Sequence, residues 1–171
     1  MRISVYSQEE NLKKWIRIWI FLALLIVQSV IIMRYSSQGA TRSSEISRKV
    51  MSKLDWLPES IPREAEPAEP YKLTLHYIVR KLAHFYNFFV IGCALALLKA
   101  QLADCGYKDA AWVCYGLVLG IIDEVKQRFI PGRSGEFKDI CIDFSGVLLG
   151  YIFVLLVLYV VLRRGASCGK K

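Results

Sequence analysis

Apolar positions in this chain come in long blocks, without the periodic spacing of helices laid on a soluble core. The first block runs from Trp15 to Met33, preceded by Lys13 and Lys14 and closed by Arg34 and Tyr35. A secretory apolar segment is shorter and is followed by a small-x-small cleavage pattern, which is missing here. The block therefore predicts an uncleaved membrane helix, with Arg17 near enough to its end to snorkel. Leu75 to Ala100 is helical in pattern and apolar from Phe85 to Leu98, with His76, Arg80, Lys81 and His84 on its first turns. Ala110 to Ile122 is apolar but too short for ~30 Å of hydrocarbon. That helix must run on through Asp123, Glu124 and Gln127. Pro131-Gly132 then turns the chain, and Ile140 to Leu162 forms the longest span, ending in Arg163 and Arg164. The pattern predicts an all-α integral membrane protein, a bundle of about four transmembrane helices.

The polar stretches divide the chain into an N-terminal tail (1–14), a first helix (15–34), a polar loop (35–74), a three-helix core (75–162) and a basic C-terminal tail (163–171). Within the loop, Ile46, Val50, Leu54 and Leu57 share one face of an amphipathic segment. Pro58 to Pro70 reads as an extended Pro/Glu linker. Four spans put both termini on one side. Lys13, Lys14, Arg163, Arg164, Lys170 and Lys171 flank the first and last spans closely, and the long loop holds no cysteine. Both features favour cytoplasmic termini in a multi-pass cell-membrane protein, with the long loop and the charged segment after Ile122 outside.

Composition narrows the function. The chain is 54% hydrophobic with net charge +8, and in a membrane protein that charge addresses headgroups and topology. With no nucleic-acid-binding motif, membrane lipids are the expected partners. Five cysteines (Cys93, Cys105, Cys114, Cys141, Cys168) show no metal-type spacing, and two histidines make a His/Cys zinc site improbable. No disulfide framework, metal or cofactor is expected.

The chemistry-bearing residues converge by helical spacing. Lys81 and His84 are three apart, and Asp123 and Gln127 are four apart. Asp139 and Asp143, also four apart, open the last helix, where carboxylates complement its dipole. Each group lies at the long-loop end of its span. The candidate ligand-binding set is Lys81, His84, Asp123, Glu124, Gln127, Arg133, Asp139 and Asp143, with Arg133 suited to bidentate capture of phosphate or carboxylate. In a second reading, four carboxylates hold a divalent cation in an enzyme acting on a lipid-linked phosphate or ester, with His84, Asp123 and Glu124 catalytic. No nucleophile motif supports it, and the chain is expected not to be an enzyme. In a third, the charges are a structural network fixing helix register. Gly116-x3-Gly120 and Gly146-x3-Gly150 predict helix-packing grooves.

Lys81-x2-His84-Phe85, Asp123-Glu124-x2-Gln127-x3-Pro131-Gly-Arg133 and Asp139-x6-Gly146-x3-Gly150 together resemble the VanZ-like family, named for a teicoplanin-resistance protein. The likeness covers roughly residues 75–160. Asp143 stands where many members carry Asn. The resemblance implies a small multi-span bacterial membrane protein associated with lowered teicoplanin sensitivity. In the first reading the outer-face cluster binds a polar lipid headgroup, a cell-wall precursor or a lipoglycopeptide, a location consistent with where teicoplanin acts.

Overall fold

The computed structural model describes residues 2–37, 45, 49, 52–53, 75–102, 109–130 and 135–168. Their regular structure is four long helices: α1 (Arg2–Ser36), α2 (Leu75–Gln101), α3 (Asp109–Gln127) and α4 (Phe137–Cys168). Among the described residues, α1, α2 and α4 are long and apolar enough to cross a membrane. With its 19 residues, α3 is about 28 Å long at 1.5 Å per residue. It reaches across a hydrocarbon layer only by including its polar end, Asp123 to Gln127. The apolar positions Ile46, Val50, Leu54 and Leu57 of the amphipathic segment, the Pro/Glu linker, Arg133 and Cys105 lie outside the described residues.

Two helices run beyond their apolar blocks. α1 begins at Arg2, well before Trp15, because residues 2–14 contain neither Gly nor Pro to stop it. Glu10 and Lys13, 3.5 Å apart on its exposed side, lie one turn from each other. α4 likewise continues past Arg164 to Cys168.

α2 and α4 form the principal packed pair, and α1 and α3 lie against them. The core is built from Phe88, Ile91, Leu95 and Leu98 of α2 with Val147, Tyr151 and Val154 of α4. α1 contributes a seam of Ile18, Leu25 and Ile32, spaced seven apart, which keeps one narrow stripe of the helix facing the bundle. The rest of α1 and the second half of α4 are exposed and apolar: Trp15, Trp19, Ile26, Val27, Phe153, Leu156, Val160 and Leu162 among them. A contiguous apolar surface of this extent needs an apolar solvent, and lipid supplies it.

Polar contacts set the register at both ends. Arg17 Nε donates to Gln101 Oε1 at 2.9 Å, so the start of the α1 apolar block meets the end of α2. There Asp109 pairs with Lys99 and accepts from Tyr151 Oη at 2.6 Å. At the other end, Lys126 Nζ donates to Ser37 Oγ at 2.9 Å and to the Met33 carbonyl at 3.2 Å. The helices therefore alternate in direction, and the ends of α1 and α3 meet the starts of α2 and α4. Midway, Gln28 Nε2 donates to Asn87 Oδ1 at 2.9 Å. Removing it with Gln28→Ala is expected to cost about 0.6 kcal/mol, and no more than ~1.7, since an unfolded membrane helix also finds polar partners. Equilibrium unfolding in mixed micelles measures this; a larger loss would place Gln28 in a wider network.

Candidate functional site

The polar cluster sits where α2 begins, α3 ends and α4 begins. The residues that form it are buried: Lys81, Asp123, Glu124, Gln127, Asp139 and Asp143, with Asp123 and Asp143 at 0% exposure. His84 is half-buried beside them. Each helix contributes an outer and an inner group, three or four residues apart, so the cluster has two layers separated by ~4.5–6 Å of helix rise.

In the outer layer Lys81 pairs with Asp139 across the α2–α4 interface. Asp139 occupies the first turn of α4, where the helix dipole also favours a carboxylate. Glu124 Oε2 accepts from the Glu136 backbone N–H at 3.0 Å, and Gln127 Nε2 donates to Glu124 Oε1 at 3.2 Å. Gly135 makes that return of the chain possible. A Cβ there would stand 2.6 Å from the Glu124 carbonyl oxygen.

His84, Asp123 and Asp143 form the inner layer. His84 Nδ1 lies 3.4 Å from Asp143 Oδ1 and 4.0 Å from Asp123 Oδ2. Asp123 Oδ2 accepts from Gln127 Nε2 at 2.9 Å. Asp123 Oδ1, both Asp143 oxygens and Gln127 Oε1 are buried without a hydrogen-bond partner. That is unusual, because buried polar atoms nearly always find one. Gly120 lets α3 come close: a Cβ would meet Asp143 Cβ at 3.5 Å and Phe88 Cε1 at 3.7 Å. Fully buried Phe88, one turn beyond His84, adds an apolar ring beside this layer.

The structure thus brings together Lys81, His84, Asp123, Glu124, Gln127, Asp139 and Asp143. Sequence reasoning missed the Glu136 N–H and Gly135, whose positions depend on how the start of α4 packs against the end of α3. It also missed Gly92, where a Cβ would stand 2.1 Å from the Val147 carbonyl oxygen. The signal for Gly92 was its place in an apolar helix opposite Gly146-x3-Gly150. Chemically, the described side chains set four carboxylates against one lysine and one histidine, an arrangement that attracts positive charge.

No curated protein and no solved structure matches the chain. The family model described as VanZ/LLP1 matches residues 19–159, taking in the second half of α1, all of α2 and α3, and most of α4. The chain belongs to the VanZ/LLP1 family.

Proposed function

We propose that this protein is a multi-pass cell-membrane protein with cytoplasmic termini, whose polar cluster faces the outer leaflet. There the cluster binds a lipid headgroup or a cell-wall ligand and lowers susceptibility to teicoplanin-type lipoglycopeptides. One observation carries the reading: Asp123 Oδ1, Gln127 Oε1 and Asp143 Oδ2 are buried without a hydrogen-bond donor at one end of the bundle. A purely structural network satisfies its members, because each orphaned buried group costs about 1–3 kcal/mol. Arg133, outside the described residues, follows Gln127 by six positions in the sequence, and its side chain is the fork suited to phosphate or carboxylate.

The test is paired measurement of drug susceptibility and membrane accumulation in a susceptible Gram-positive host, for wild type, Arg133→Ala, Asp123→Asn and His84→Ala. Vancomycin, which lacks the lipid tail, runs alongside. The variants are expected to lose teicoplanin-selective protection while accumulating normally. Full protection by all three, or none by wild type, would overturn the reading.

Membrane-embedded hydrolysis of a lipid-linked ester has less support. His84 beside Asp143 resembles a base with its orienting carboxylate. Ser145, however, turns its Oγ to the Ile142 carbonyl at 2.7 Å within its own helix, so no described hydroxyl is poised as the nucleophile.

A further inference from the structure

We infer that His84, Asp123 and Asp143 form a binding site for one divalent transition cation, Mn2+ or Zn2+. Such a site deepens the function proposed above and rests on it for the view that the cluster binds a ligand.

Geometry is the first support. The three side chains come from three helices, and one ligand atom of each lies within 4.8 Å of the others. Two ligands on one ion at ~2.0–2.2 Å stand at most ~4.4 Å apart. The separations from His84 Nδ1, 3.4 Å to Asp143 and 4.0 Å to Asp123, already meet that limit. Neighbouring ligands around a tetrahedral ion stand ~3.5 Å apart, so gathering all three takes shifts of up to about 1 Å, within the reach of side-chain rotation.

The second support is independent of spacing. Asp143 is fully buried; its Oδ1 faces only His84 Nδ1 at 3.4 Å, its Oδ2 has no hydrogen-bond donor, and Asp123 Oδ1 beside it has none either. Lys81, the nearby ammonium, is engaged by Asp139 in the outer layer. Gln127 gives its Nε2 to Asp123 and Glu124, which orients the Asp123 carboxylate and leaves Gln127 Oε1 as a further oxygen donor. Carboxylates so buried are held by pairing or by a metal ion. One imidazole nitrogen with carboxylate and amide oxygens suits Mn2+ or Zn2+ better than thiolate-seeking ions. His84 is the one member of the triad not fully enclosed, so an ion enters past the imidazole.

The experiment uses the full chain, purified in detergent and stripped with EDTA, then titrated separately with Mn2+ and Zn2+ by calorimetry, with electron paramagnetic resonance for Mn2+. Wild type is expected to take up one ion per chain and to gain thermal stability as the ion is added. Asp143→Asn is expected to bind at least ~10-fold more weakly. Its melting temperature in EDTA should equal or exceed that of wild type, because the neutral amide removes a fully buried charge with one oxygen, Oδ2, lacking any hydrogen-bond donor. His84→Gln, which keeps the volume and a polar end, is the second variant and is expected to lose affinity likewise.

Stripped wild type without saturable binding would overturn the proposal. So would undiminished binding in both variants, which places the ion elsewhere. A chain that binds Mn2+ yet protects no cell from teicoplanin sinks the drug reading alone. A chain that protects but takes up neither ion sinks the cation site alone.

Discussion

Lys81→Ala is expected to destabilise the folded bundle by about 3–5 kcal/mol, the range for breaking one side of a buried ion pair. Asp139 is 2% exposed, and its counter-charge comes from a different helix. Removing the ammonium strands a carboxylate at the seam between α2 and α4, the principal packed pair of the bundle. Double truncation separates this cause from a plain loss of packing. Lys81→Met with Asp139→Leu removes both charges, keeps apolar volume and is expected to recover most of the loss. Unfolding in mixed micelles gives the free energies, and membrane accumulation gives the cellular counterpart. If the double variant is as unstable as Lys81→Ala, the stranded charge is not the source of the damage.

Gly150→Ala carries the second large effect. A Cβ at this position would stand 2.1 Å from the Phe89 carbonyl oxygen and 3.1 Å from the Cys93 backbone nitrogen. Both are backbone atoms of α2, so no side-chain rotation relieves the overlap and the two helices must part. Overpacking of this kind costs typically ~1–3 kcal/mol, occasionally more. Here the upper end is expected, because parting α2 from α4 also loosens Val147 and Tyr151. Gly120→Ala is the control within the same fold. Its Cβ would meet neighbours at 3.5 to 3.8 Å, ordinary contact distances. Alanine also lowers the entropy cost of a helical glycine by ~0.5–1 kcal/mol. Gly120→Ala is therefore expected to be neutral or slightly stabilising. Equal losses at Gly150 and Gly120 would show that close backbone approach is not what these glycines provide.

The contrast between the two glycines marks a limit of sequence reading. Gly116-x3-Gly120 and Gly146-x3-Gly150 have the same spacing, yet they meet different neighbours. Gly146 and Gly150 face the backbone of α2. Gly116 faces the side chain of Val147, and Gly120 faces Asp143 and Phe88. Gly92, with no partner glycine at that spacing, comes as close to its neighbour as Gly150 does. Spacing tells which residues share a face, and only packing tells what the face touches.

The site divides in the same way. Blocks of apolar residues too long for anything but a membrane, and helix-spaced polar residues at their loop ends, specify the helices and the residues that gather there. The reason is local: burial in lipid and the 3.6-residue turn act on neighbouring positions in the chain. Nothing local distinguishes Asp139, neutralised by Lys81, from Asp143 one turn deeper, which faces His84 and keeps Oδ2 without a hydrogen-bond donor. That difference arises when three helices, joined across long separations in the chain, settle at one depth and register. Tertiary packing alone decided that an outer carboxylate meets a lysine while the inner triad of His84, Asp123 and Asp143 does not, because pairing is a property of distances between helices.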